Sequence, residues 1–145
     1  MSAHPSDKKL SIQVLDDNPF YATFLEHQLK QYFAAHFPEF SDIVITSFTH
    51  NADYLDALPE TVSISLIDFY LEDGITGIDL LPEIKKRSAA CRVIIMTTEN
   101  NLEALANCLD TNVAGFVFKD ESTVSLCHPI FEREIQRLQD QEGKA

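Results

Sequence analysis

"VSISLIDFYLEDGITG", residues 62–77, opens with a run of strand length, ends that run on Asp68, and follows it with two more acids and two glycines. A run of Val, Ile and Leu broken only by serine fits a strand covered on both faces, and such strands belong in parallel sheets. Four other stretches share the pattern: "SIQVL" (11–15), "DIVITSF" (42–48), "CRVIIMT" (91–97) and "NVAGFVF" (112–118). Each is of strand length and ends in polar or turn residues, so five strands are predicted.

Between the strands lie segments with helical spacing. The clearest is 19–37, where Phe20, Phe24, Leu25, Leu29, Tyr32, Phe33 and Phe37 form an apolar stripe read as core. Asn18 followed by Pro19 is a natural N-cap and first helical residue. Ile78, Leu81 and Ile84 mark a helix over 77–87, and Leu102, Leu105, Ala106 and Leu109 mark one over 101–109. A short helix over 50–58 and a final one over 121–140 complete the alternation. The prediction is an α/β fold with one parallel sheet covered by helices on both faces. In such sheets sites lie beyond the carboxyl ends of the strands, at the point where strand order reverses.

Composition narrows the function. With 145 residues, 45% of them hydrophobic, the chain has the size of one domain with a real core and leaves no room for a second. We divide it into a tail (1–9), a domain (10–140) and a second tail (141–145). Acids outnumber bases 23 to 11, and a net charge of −12 opposes binding to nucleic acid or an anionic membrane. Cys91, Cys108 and Cys127 are scattered, as are the five histidines, which suits free thiols in a reducing compartment and gives no zinc motif. With neither an apolar leader near the start nor a run of about 20 apolar residues, the expected location is the cytoplasm.

The strand ends carry the chemistry. The first strand runs into Asp16 and Asp17, the third ends at Asp68, the fourth at Thr97 and the fifth at Lys119. If the first and third strands are neighbours, three carboxylates converge, and such crowding raises their pKa values or calls for a cation. Hard oxygen ligands of this kind suit Mg²⁺, with Mn²⁺ as a substitute. A lysine and a hydroxyl on the other side are what a phosphoryl group on one aspartate would need: a cation and a hydrogen-bond donor.

These residues resemble the signature of a response-regulator receiver domain of two-component signalling, the CheY-like superfamily. The matching motifs are the acid pair in "LDDN", the acceptor in "LIDFYLEDGITG" with a glycine nine positions later, the hydroxyl in "IIMTTEN" and the lysine in "GFVFKD". The resemblance runs from about residue 10 to about 138. It implies a flavodoxin-like sheet of order 2-1-3-4-5 inside five helices. Asp68 then resembles the nucleophile that takes a phosphoryl group from a phosphohistidine to form an aspartyl phosphate. Asp17 resembles a direct Mg²⁺ ligand and Asp16 one acting mainly through water, with the Tyr70 backbone carbonyl adding a further oxygen. Thr97 resembles the switch hydroxyl, Phe116 the aromatic that follows it, and Lys119 the partner of the transferring group. Output would come from the surface made by the fourth helix, fifth strand and fifth helix.

Several positions depart from the family pattern. Glu72 and Asp120 stand where many members have proline, and because a cis bond without proline costs ~3 kcal/mol, a trans or a strained 119–120 bond is expected. Thr98 replaces the small residue usual beside the switch hydroxyl. Pro129 falls inside the last helix, which should start near His128 or kink there. Tyr70 and Glu99 flank the route of a hydrolytic water and are read as tuning the phosphoryl lifetime.

The leading reading is a single-domain receiver, catalysing only its own phosphorylation and dephosphorylation. Its expected partners are a histidine kinase or histidine phosphotransfer protein upstream and a protein target downstream, with no DNA or membrane contact and with homodimerisation open. The alternatives are a phosphorylation-independent binding module on the same fold and the receiver fragment of a larger regulator. A Mg²⁺-dependent phosphohydrolase ranks last, because Tyr70 stands where such enzymes want a second acid.

Overall fold

The computed structural model describes residues 8–98, 106–107 and 111–143. Strands β1 (Lys8–Leu15), β2 (Phe40–Phe48), β3 (Ser63–Asp68), β4 (Cys91–Thr97) and β5 (Gly115–Phe118) form one parallel sheet in the order β2-β1-β3-β4-β5. The α-helices that lie wholly within the described residues are α1 (Pro19–His36), α2 (Asn51–Ala57), α3 (Leu81–Arg87), α4 (Thr123–Leu126) and α5 (His128–Gly143), with a short 3-10 turn at Glu72–Gly74. The helix predicted over 101–109 lies outside the described residues apart from Ala106 and Asn107, which are helical.

Every residue of β3 is buried, as its composition predicts, and alternate side chains serve opposite faces. Ile64 and Leu66 pack with Leu25, Leu29 and Phe33 of α1 and Phe131 and Ile135 of α5. Ile67 packs on the other face with Tyr54 of α2 and Ile84 of α3. Each fully buried side chain of this size contributes about 1.5–3 kcal/mol, so the two layers hold the sheet rigid beneath its carboxyl edge. Of the two serines of β3, Ser65 takes the Tyr54 hydroxyl at 2.8 Å and donates to Gln13 Oε1 at 2.9 Å, whereas the buried Ser63 hydroxyl has no hydrogen-bond partner among the described residues.

Three expectations are corrected. Phe20 is 86% exposed and Phe24 also faces solvent, so the front of the α1 stripe is not core. Helical geometry explains this, because the buried line runs Ala22, Leu25, Leu29, Phe33, and Phe20 lies two residues, about 200°, away from it. The third helix starts at Leu81 rather than at residue 77. Thr76 and Asp79 exchange hydrogen bonds at 2.9 and 3.2 Å, fixing a turn, and Pro82 suits the start of the helix. Finally, β5 begins at Gly115 rather than at residue 112.

Other expectations stand. Asn18 caps α1 by accepting the amides of Phe20 and Tyr21 at 3.0 and 3.3 Å. The last helix breaks at Cys127, and α5 restarts at His128 with Pro129 in its first turn, where a missing N–H costs nothing. No cis peptide occurs among the described residues, so the 119–120 bond is trans.

Candidate functional site

Because β1 and β3 pair directly, their ends place Asp16 beside Asp68, and β5 brings Lys119 over both. Asp16 is fully buried and Asp68 only 6% exposed, whereas Asp17 faces solvent. Carboxylate oxygens of all three lie within 4.8 Å of one another. Lys119 Nζ sits 2.7 Å from Asp16 Oδ2 and 3.1 Å from Asp68 Oδ2. The Asn18 amide donates to the other Asp16 oxygen at 2.9 Å.

The electrostatics follow from that crowding. Burial first, and then the Asp16 charge, push the Asp68 carboxyl up from 3.8 to about 6 despite the lysine. Burial likewise raises Asp16. Burial works against the Lys119 ammonium too, but its bonds to Asp16 and Asp68 win and hold its pKa above 10.5. One ammonium against three carboxylates leaves a deficit of two positive charges. A divalent cation with a taste for hard oxygens matches that deficit, so the donor set fits Mg²⁺.

The loop after β3 is folded tightly against the site. A Cβ on Gly77 would stand 2.9 Å from the Asp68 backbone oxygen, so a glycine is required here. The Gly77 amide donates to the Phe69 carbonyl at 2.7 Å, and Tyr70 bridges to Thr76, its ring half exposed. Thr97 ends β4 with 1% exposure, and among the described residues its Oγ1 has no hydrogen-bond partner. Phe116 is half-buried against the α2/α3 side of the sheet, its ring 6.3 Å from that of Phe118. Glu99 lies outside the described residues. The structure thus brings together Asp16, Asp17, Asp68 and Lys119, with Thr97 one strand away.

Two residues of this region escaped the sequence reading. Glu72, noted only as a missing proline, reaches back to α2: its carboxylate accepts the Asn51 amide at 2.9 Å and contacts His50 Nδ1 at 3.2 Å. Tyr21 lays its ring 4.9 Å from Lys119 Nζ and its hydroxyl 2.8 Å from the Asp120 carbonyl. Partners 21 and 99 positions apart leave no local signal in a sequence.

The family model described as the response regulator receiver domain matches residues 12–131. The chain belongs to this family. The receiver is 31% identical over 118 residues to the probable transcriptional regulatory protein SgaR of Hyphomicrobium methylovorum, an alignment covering 81% of this chain and 52% of that protein. It therefore spans about half the length of that curated relative. Among solved structures it resembles the N-terminal domain of a response regulator/sensory box/GGDEF 3-domain protein from Carboxydothermus hydrogenoformans, with a TM-score of 0.68 at 16% identity, covering 90% of this chain and 98% of that one. The isolated REC domain of RcsB from Salmonella enterica serovar Typhimurium, solved with a phosphomimetic beryllofluoride, gives 0.67 at 19% identity over 90% and 99%. At these identities the structural likeness speaks for the fold.

As a receiver the chain is a signalling domain of two-component systems, a family that implies interaction with histidine kinase or phosphotransfer partners. Receiver domains bind Mg²⁺ at an acidic pocket, and Asp16, Asp17 and Asp68 form such a cluster here. Among the described residues, no helix is long and apolar enough to cross a membrane.

Proposed function

We propose that this receiver works in the cytoplasm as a phosphoryl acceptor, taking the group on Asp68 from a phosphohistidine of a histidine kinase or phosphotransfer protein. The observation that carries this reading is the Lys119 ammonium held between Asp16 and Asp68, with a third carboxylate within 4.8 Å. An oxygen of Asp68 attacks the phosphorus; a P–O bond forms as the P–N bond breaks, and the electron pair returns to the imidazole. With its pKa near 6, Asp68 is mostly ionised at neutral pH yet more basic than an ordinary aspartate. Lys119, already aimed at Asp68 Oδ2, moves to the phosphoryl oxygens.

Asp17 and Asp68, with Asp16 through water and the Tyr70 backbone carbonyl, would hold Mg²⁺. When bound, the ion supplies the positive charge that offsets the phosphoryl oxygens and the crowded carboxylates. The Thr97 hydroxyl, buried and with bonding capacity to spare, turns to the phosphoryl group, and Phe116 follows it into the space vacated. Tyr70, beside the acceptor, and Glu99 set how readily water reaches the acyl phosphate. The output is carried by protein contact, since a charge of −12 disfavours DNA.

Incubation with Mg²⁺ and acetyl phosphate, followed by intact mass, tests the reading. A gain of about 80 Da is expected, absent in Asp68→Asn. No gain with acetyl phosphate or with a phosphorylated kinase domain would instead support a phosphorylation-independent binding module.

A further inference from the structure

Lys119 has to meet two carboxylates from different strands, yet it sits at the start of a loop that nothing in its own chemistry makes stiff. The residue after it, Asp120, leaves φ free where a proline would fix it, and the bond between them is trans. The stiffness comes from elsewhere. Thr123, fully buried at the start of α4, has a single hydroxyl that accepts the Asp120 amide at 2.8 Å and lies 2.9 Å from the Phe118 carbonyl and 2.8 Å from the Asp120 carbonyl. Both neighbours of Lys119 are thereby tied to one atom.

Tyr21 of α1 closes the arrangement. Its hydroxyl lies 2.6 Å from Thr123 Oγ1 and 2.8 Å from the Asp120 carbonyl, while its ring lies under the Lys119 ammonium at 4.9 Å. The two hydroxyl protons are shared among these oxygens: Tyr21 donates to the Asp120 carbonyl, Thr123 donates to the Phe118 carbonyl, and Thr123 Oγ1 accepts the Asp120 amide. The phenol keeps its proton, since burial raises its pKa to about 12. Asn18, which caps α1 through the amides of Phe20 and Tyr21, also donates its own amide to Asp16. The helix that carries Tyr21 is therefore fixed to the acid that Lys119 must reach.

From this geometry we infer that Tyr21 and Thr123 are positioning residues for Lys119: the Thr123 hydroxyl fixes the backbone on either side of the lysine, and the Tyr21 ring and hydroxyl set where its ammonium rests. This rests on the reading of Lys119 as partner of the transferring phosphoryl group. The hydrogen bonds of the Tyr21 hydroxyl go to Asp120 and Thr123 and its ring faces Lys119, so its loss reaches the carboxylates chiefly through the lysine.

Three variants separate the parts. Tyr21→Phe keeps the ring and loses the hydroxyl bond, Tyr21→Leu loses both, and Thr123→Ser keeps the hydroxyl and serves as the conservative control. Phosphorylation rates at saturating acetyl phosphate and Mg²⁺ are expected to fall about three- to tenfold in Tyr21→Phe, from one lost hydrogen bond, and by a further several-fold in Tyr21→Leu, from the lost cation–π contact. Thr123→Ser should stay within about twofold of wild type. Mg²⁺ affinity, read from amide shifts of Asp16, Asp17 and Asp68, should be unchanged throughout, which a general loss of structure would not allow. The NMR signals of the Lys119 side chain give a readout that needs no phosphorylation: restrained in wild type, they should show increased mobility in Tyr21→Leu. Wild-type rates and unaltered Lys119 signals in folded Tyr21→Phe and Tyr21→Leu would overturn the inference. If wild type itself takes no phosphoryl group, the functional reading fails, and the Lys119 signals alone then decide the positioning.

Discussion

Neutralising Asp68 should make the metal-free protein more stable, although the substitution removes the centre of the site. Asp68 is 6% exposed and carries a pKa raised from 3.8 to about 6 by burial and by Asp16. At 1.36 kcal/mol per pKa unit, holding it ionised above pH 6 costs the fold about 3 kcal/mol. Asp68→Asn removes that cost, and because the raised pKa already includes the attraction of Lys119, a gain of about 2–3 kcal/mol is expected at pH 7.5. The sign follows from linkage. A carboxyl whose folded pKa is raised favours folding fully below its unfolded value of 3.8 and loses that advantage as pH climbs through about 6. Wild type should therefore lose stability between pH 4 and pH 7 while the variant loses less, so the two should be about equally stable near pH 4 and separate as pH rises through about 6. Urea unfolding followed by far-UV circular dichroism, in EDTA at pH 4 and 7.5, measures the difference. Added Mg²⁺ should narrow the gap at pH 7.5 by stabilising wild type more. A variant less stable than wild type at pH 7.5 in EDTA, or a difference independent of pH, would refute the argument that the carboxylates are crowded.

Other substitutions probe the support of the site. Gly77→Ala places a Cβ 2.9 Å from the Asp68 carbonyl oxygen and 3.0 Å from Ile95 Cδ1, and should cost about 1–3 kcal/mol in urea unfolding; an unchanged midpoint would contradict the close approach. Phe131→Ala empties a fully buried position whose ring packs 5.0 Å from Phe33 and 5.5 Å from Tyr32, so a loss of about 3–5 kcal/mol is expected by the same assay. Glu26 accepts both the amide and the hydroxyl of Ser47, at 3.1 and 2.7 Å; burial opposes its ionisation, but Ser47 and Lys30 hold its pKa below 4.5. Glu26→Gln should cost about 1 kcal/mol at pH 7, and the difference should fade as pH drops through the lowered pKa of Glu26, where wild type loses its charge as well.

The strands were legible in the sequence because their signal is local. β4 matches its predicted residues, and β1, β2 and β3 differ from theirs only at the ends. The order of the acids and the lysine was legible for a related reason: each sits at the end of its own strand, and a parallel sheet gathers those ends at one edge. What could not be read are contacts created by the topology. Tyr21 meets Asp120 because α1 and the loop after β5 lie against the same edge, and nothing in "NPFYATF" distinguishes that tyrosine from the solvent-facing Phe20 beside it. Half-buried Arg92 at the start of β4 and buried Glu134 in α5 form an ion pair at 2.8 Å that no local pattern announces. The apolar stripe of α1 misled at its front, where two aromatics shared the helical spacing but not the buried line.

The most direct test of the account is to find which carboxyl carries the phosphoryl group. After incubation with Mg²⁺ and acetyl phosphate, borohydride reduces an acyl phosphate to the alcohol, and peptide mass spectrometry locates the resulting homoserine. The account predicts it at position 68 alone, with Asp16 and Asp17 intact. Reduction at position 16 or 17, or no reduced residue in protein that has gained the mass of a phosphoryl group, would contradict it.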